Sequence, residues 1–266
     1  MNSTVNSKGL ALVTGASSGI GAVYADRLAR RGHDLVLVAR DVAKLTAVAD
    51  RIRAATGRHV ELLPADLANR DDVRRVEERL RSDDGIELLV NNAGVGATQA
   101  LVDSDVDRLD DMIQVNVTAL TRLTRAVAPA MVRRGKGAVI NIASIVAVAP
   151  ERLNGTYGGS KAFVLAFTQS LHHELGPKGI QVQAVLPGAT STDFWALAGR
   201  PVNLLPSQIV MSAEEMVDAS LVGFDRKELV TIPALPDAGD WDRFEAARQA
   251  LGPNLSHASA AKRYKA

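Results

Sequence analysis

Apolar and polar residues follow two interleaved rhythms along the chain. Short runs that are apolar nearly throughout, Leu10–Thr14, 35–39, Val60–Pro64, 88–90, 138–142, 180–186 and 229–232, read as strands. Between them lie longer stretches whose apolar positions recur at three and four residues: 22–31, Val42–Thr56, 69–81, 105–134, 156–175 and 212–223. In 22–31 the period turns Val23, Leu28 and Ala29 inward and Arg27, Arg30 and Arg31 outward. Gly32, Gly57, Gly135 and Gly176-Pro177 stand where helices should stop. Ser212 with Glu215 has capping-box spacing. The 69–81 stretch, dense in Asp, Arg and Glu, predicts a solvated helix face with pairs such as Asp71–Arg75. Strands apolar on both sides, alternating with helices, predict an α/β fold. One doubly wound parallel sheet of seven strands carries helices on both faces, with right-handed crossovers. No interior linker or repeat interrupts the pattern, so 1–266 is expected to be a single domain. A further helix over 241–250 and a basic tail with Lys262, Arg263 and Lys265 form a C-terminal extension over 237–266.

Composition narrows the chemistry. Of 266 residues, 47% are hydrophobic and 23% charged, the usage of an ordinary globular chain. Cysteine is absent, which excludes disulfides, zinc-thiolate and iron–sulfur sites and a thiol nucleophile. The adjacent His172 and His173 lack a second histidine one helical turn away, so no metal is expected. Against 30 acidic residues stand 31 Lys and Arg, a net charge of +1 that favours neither nucleic acid nor an anionic membrane. Met1–Gly9 is polar and lacks the apolar core of a signal peptide. No apolar run approaches the ~20 residues that span a bilayer. A cytoplasmic location is the expectation.

Gly15-Ala16-Ser17-Ser18-Gly19-Ile20-Gly21 joins the first strand to the first helix. Glycines there let the backbone turn sharply and approach a pyrophosphate, which the free N–H groups and partial positive charge of the helix terminus attract. The strand–turn–helix setting makes the motif more specific than glycine spacing alone.

That TGxxxGxG spacing resembles the short-chain dehydrogenase/reductase family, and the resemblance accumulates from about residue 10 to about residue 192. Asp66-Leu67 follows the third strand, Asn91-Asn92-Ala93-Gly94 the fourth, and Ser144 the fifth; Asn116 lies in the helix between them. Tyr157-Gly-Gly-Ser-Lys161 matches YxxxK, and Pro187-Gly188-Ala189-Thr190-Ser191-Thr192 resembles PGxVxT, with Thr190 in place of the usual branched apolar residue. The resemblance implies a Rossmann fold binding a nicotinamide dinucleotide. Gly15, Ser17, Ser18, Gly19, Ile20 and Gly21 are then placed on the pyrophosphate side, and Asp66 and Leu67 at the adenine. Asn92, Ala93, Gly94, Tyr157, Lys161, Pro187, Gly188, Thr190 and Thr192 fall along the rest of the cofactor. It implies catalysis by Asn116, Ser144, Tyr157 and Lys161, the lysine also holding the nicotinamide ribose and Asn116 a proton-relaying water.

The residues themselves add physical reasons. Tyr157 and Lys161 share a helix face, and an ammonium beside a phenol favours the phenolate, which predicts a lowered tyrosine pKa. Ser144 sits at the C-terminal end of a parallel strand, where ligands bind in such sheets. The second strand ends in Ala39-Arg40, not in the acid that accepts from a ribose 2′-hydroxyl. A guanidinium pairs with a 2′-phosphate, so NADP(H) is the expected cofactor, while neighbouring Asp41 offsets some charge and leaves room for NAD(H). Between the sixth strand and the helix over 212–223, Phe194, Trp195, Leu197, Leu204, Leu205, Ile209 and Met211 give an apolar lid region, 193–227, with Val146, Val148 and Leu153 on the same wall. An apolar ketone, aldehyde or secondary alcohol suits such a lid. Alternatives are a nucleotide-sugar epimerase or dehydratase, disfavoured by length and glycine spacing, and a non-catalytic NADP(H) sensor, disfavoured by the retained Ser and Tyr. The family pairs the helices 105–134 and 156–175 across subunits, which implies a homodimer or homotetramer. The VDGG ending of many tetrameric members is missing.

Overall fold

The computed structural model describes residues 8–265; the N-terminal segment 1–7 lies outside them. Seven strands, β1 (Leu10–Thr14), β2 (Asp34–Ala39), β3 (Val60–Pro64), β4 (Ile86–Asn91), β5 (Gly137–Ile142), β6 (Ile180–Val185) and β7 (Val230–Thr231), pair in parallel in the order β3-β2-β1-β4-β5-β6-β7. The order reverses between β1 and β4, and that switch point opens a crevice at the carboxyl ends of the strands. On one face, α1 (Gly19–Arg30), α2 (Val42–Thr56) and α8 (Ala213–Asp225) bury Tyr24, Leu28, Leu45, Ile52, Met216 and Leu221. On the other, α3 (Arg70–Arg81), α5 (Leu120–Arg134) and α6 (Gly155–Leu175) bury Val76, Leu80, Leu123, Val127, Leu171 and Leu175. Burial on both faces explains why the strands read as continuous apolar runs.

Several expectations shift. The helix expected over 105–134 is α4 (Val106–Ile113), a wider π-helical turn at Gln114–Ala119, then α5. Asn116 sits in that turn and spends its amide on the backbone of Val95 rather than facing solvent. Helix α1 starts at Gly19, three residues before its apolar period, because the glycine turn runs straight into it. Arg74 and Arg75 pair with Asp71 and Asp72 at spacing three, not Asp71 with Arg75. Ser212 caps α8 by accepting from the Glu215 amide at 3.1 Å.

The described chain divides into two compact units, one ending at Pro233 and one beginning at Ala234. In the second, α9 (Ala238–Ala250) starts at a cap in which Asp237 accepts from the Gly239 amide, and it carries Trp241 and Phe244 with ring centroids 5.3 Å apart. Among the described residues, no helix is long and apolar enough to cross a membrane.

Candidate active site

The turn after β1 is built around glycines that steric limits require. Gly15 has φ +65°, and a Cβ there would stand 2.8 Å from Asn92 Nδ2. A Cβ on Gly19 would stand 2.9 Å from the Thr192 methyl. Asn92 closes the crevice from β4: its Nδ2 donates to the carbonyls of Thr14 (2.9 Å) and Gly15 (3.3 Å), while the Thr14 hydroxyl accepts from the amides of Asn92 and Ala93, both at 3.0 Å. Thr14 was not among the expected site residues, although its place before the first glycine marks it.

The first turn of α1 holds no acidic residue, and Ser18 caps it without a side-chain hydrogen bond. Free amides without a competing carboxylate are the donor set an anionic pyrophosphate needs, so these residues fit a dinucleotide. A cleft of about 340 Å³ opens beside the turn, lined by Ser17, Ser18, Gly19, Ser191, Thr192 and Asp193 among others, and does not reach Tyr157.

At the end of β2, Arg40 is exposed, with its guanidinium 3.9 Å from the Asp66 carboxylate. The Asp41 carboxylate accepts from the Lys44 amide at 3.0 Å and so caps α2. Asp66 accepts from the Ala68 amide, and Leu67 turns its side chain into the core.

The four expected catalytic residues are buried and converge on α6. Asn116 Nδ2 donates to Val95 O (2.9 Å) and Ser160 Oγ (3.0 Å), and its Oδ1 accepts from Val95 N at 2.9 Å. Ser160 in turn donates to Tyr157 O at 2.8 Å. Lys161 Nζ donates to Ile142 O at 2.8 Å and lies 5.9 Å from the Tyr157 ring centroid. The Ser144 hydroxyl accepts from Val146 N at 3.3 Å and donates to Pro187 O at 3.5 Å, close enough to the Tyr157 phenol to favour its charged form. Asn154 caps α6 and donates to Gln99 O at 2.8 Å, tying the phenol's helix to the loop after β4. Sequence reasoning missed Ser160 and Asn154; a serine facing inward one turn after Tyr157 was the available signal.

The expected lowering of the tyrosine pKa is not found. Burial pushes Tyr157 up to about 12, against a smaller lowering by Ser144, and burial brings Lys161 down to about 8. The lysine is buried in the same place as the phenol, so the desolvation that disfavours the phenolate also weakens the charge expected to favour it.

Pro187 O accepts from Ile145 N at 3.0 Å, and Gly188 has open space where a Cβ would stand. Thr190 is buried, donates to Gly188 O at 3.2 Å, and its own carbonyl accepts from Trp195 Nε1 at 3.1 Å. A hydroxyl thus replaces the usual apolar branch by bonding locally. The lid residues divide. Phe194 lies 5.7 Å from the Tyr157 ring, in a cluster with Val146 and Leu153, and Met211 packs on the core. Leu197, Leu204 and Ile209 are exposed, and Val148 is partly so. The end of the 193–227 region is the expected helix, α8, locked to α1 by Tyr24 with Ser220, Arg27 with Asp218 and Arg31 with Asp225.

Comparison with known proteins agrees with this architecture. A family model described as short chain dehydrogenase matches residues 9–201. A structure of a short-chain dehydrogenase from Sphingobium yanoikuyae in complex with NADPH is 53% identical, covers 97% of this chain and 100% of its own, and superimposes with a TM-score of 0.94. The bulky-bulky ketone specific alcohol dehydrogenase from Comamonas testosteroni is 48% identical, covering 98% and 100%, with a TM-score of 0.91. A very-long-chain 3-oxoacyl-CoA reductase of Anas platyrhynchos is 39% identical over 189 residues, 68% of this chain and 60% of the relative's length. The match thus spans three-fifths of that longer protein.

Proposed function

The chain belongs to the short-chain dehydrogenase family of oxidoreductases, and on that premise we propose that it interconverts ketones and secondary alcohols with NADP(H), favouring apolar, bulky ketones. The observation that carries the reading is the meeting of Ser144, Tyr157 and Lys161 at the carboxyl edge of the sheet, beside a glycine turn suited to a pyrophosphate. When bound, the nicotinamide supplies or accepts the hydride at the reacting carbon. In reduction, the Tyr157 phenol gives its proton to the carbonyl oxygen as that oxygen gains charge; in oxidation it takes the proton back. Ser144 donates to the same oxygen and steadies its charge. Lys161, fixed by Ile142 O, holds positive charge near the phenol and would hold the cofactor ribose, and Asn116 with Ser160 braces the backbone of Val95 and Tyr157.

Preference for NADP(H) rests on Arg40, exposed at the end of β2 and held only by a long, solvent-screened pairing with Asp66, for which a 2′-phosphate can compete, while Asp41 is engaged in capping. The apolar preference rests on Phe194, Val146 and Leu153 around the phenol. Both readings agree with the neighbours, one solved with NADPH and one specific for bulky-bulky ketones. Exposed Leu101 and Val102 in the turn before α4, with Val106 at its first position, support assembly through this side, as a homodimer or homotetramer.

The test is nicotinamide absorbance with NADPH or NADH across a panel of small, aryl-alkyl and diaryl ketones. Turnover of ketones, better with NADPH, is expected. Tight NADPH binding without turnover of any carbonyl or alcohol would overturn the catalytic reading in favour of a sensor.

A further inference from the structure

Gly96, in the loop after β4, is not in the left-handed region where backbone geometry favours glycine. Something else keeps it free of a side chain. The three nearest atoms to a Cβ built there all belong to the Phe194 ring: Cε1 at 3.1 Å, Cε2 at 2.8 Å, and Cζ closer still. The edge of the ring thus points at the Gly96 α-carbon, while its centroid stands 5.7 Å from that of the Tyr157 ring at an interplanar angle of 45°. Phe194 thus meets both the loop after β4 and the ring of Tyr157.

The segment that presents the ring is lightly held. It is the four-residue helix α7 (Phe194–Leu197), fastened where Ala198 O accepts from the Thr98 amide (3.2 Å) and hydroxyl (2.8 Å), and where Trp195 Nε1 donates to Thr190 O. Leu197, three residues along, is open to solvent. The ring is therefore carried on a short piece that can shift without unmaking the sheet or α6.

We propose that Phe194 and Gly96 together determine substrate size: Phe194 is the movable wall of the chamber beside Tyr157, Gly96 is the recess that seats it, and the chamber takes ketones bearing an apolar, ring-sized group next to the carbonyl. This rests on the ketone reductase reading above. A methyl group on residue 96 needs ordinary contact with the ring, so it displaces the ring by about 1 Å or more from its seat and, on this proposal, narrows the chamber. Removing the ring has the opposite effect.

Gly96→Ala and Phe194→Ala test this singly and together, with kcat/KM measured for a small aliphatic ketone and a diaryl ketone using NADPH. Gly96→Ala is expected to lower the diaryl-to-small ratio by about tenfold or more, chiefly through KM, since fit in an apolar pocket discriminates on that scale. Phe194→Ala should raise the ratio by a similar factor. The double variant should behave as Phe194→Ala does, because the three atoms nearest the added methyl are then gone; this non-additivity is the signature of direct contact. Gly96→Ala should also lower Tm in the wild-type background and leave it unchanged in the Phe194→Ala background. Ratios within twofold of wild type in both single variants, or a Gly96→Ala defect persisting in the double variant, overturn the inference while leaving the ketone reductase reading intact. A wild-type protein inert toward every ketone overturns that reading and this substrate role with it, whereas the Tm coupling still reports the contact.

Discussion

On one side of Tyr157, Ser144, Asn116, Ser160 and Lys161 are all buried, and each is tied to backbone or to one another by hydrogen bonds. On the other side, residues 193–211 form short turns whose apolar Leu197, Leu204 and Ile209 face solvent and whose ties to the rest are few. On the proposed function, the groups that move protons need fixed positions, and buried polar groups are costly unless every one is satisfied, which favours a rigid region. The groups proposed to judge substrate size need only present apolar surface, and they sit on the segment with least to lose by moving.

The largest expected effect falls on the rigid side. Tyr157→Phe keeps the ring against Phe194 and removes the proton donor, so kcat should fall by about 10²–10⁴-fold with little change in Tm. A steady-state assay beside a thermal melt checks it; retention of full kcat would break the contrast between the two sides.

Asn116→Ala orphans both the amide and the carbonyl of Val95 and leaves Ser160 without its donor. A stability loss of about 2–4 kcal/mol is expected from denaturant unfolding, larger than for any single truncation among the exposed residues of 193–211.

Lys161 gives a pH test of the same burial. Its pKa is near 8 in the folded chain and near the ordinary 10.5 when unfolded. Below pH 8 both states hold the proton and the burial cost is complete. Above pH 8 the unfolded state holds more protons, so stability rises with pH. Tyr157, up at about 12 against an ordinary 10, reverses the trend above pH 10, where only the unfolded state loses its proton. Between pH 8 and 10 the stability of wild type should therefore rise relative to that of the Lys161→Met variant, which lacks the titrating group, by up to about 3 kcal/mol.

Arg40→Ala should lower kcat/KM for NADPH by about 10–100-fold and leave NADH nearly unchanged, since NADH has no 2′-phosphate for the guanidinium to hold and its exposed pairing with Asp66 at 3.9 Å is weak. The smallest effect is expected at Lys44 and Asp193, an exposed pair at 3.8 Å that links α2 to the start of the lid. Lys44→Ala should change Tm and the KM for NADPH by less than about twofold or its thermal equivalent, because solvent screens such pairs. A large effect there would show the lid more firmly held than its contacts suggest.

Much of this was determined by the sequence alone. The alternation of apolar runs with helical periods specified a parallel sheet covered on both faces, because a strand buried on both sides has no polar position to offer. The glycine turn, Asn116, Ser144, Tyr157 and Lys161 were placed by motif and order. Tertiary structure alone decided the rest. The π-helical turn at Asn116 depends on where Val95 lies, and the α8 anchor on which face of α1 meets it. The sign of the Tyr157 shift depends on how dry its surroundings are, and a spacing of four residues carries no dielectric. The reason for Gly96 lay in a ring 98 positions further along the chain, and no local pattern reports a contact that only folding creates.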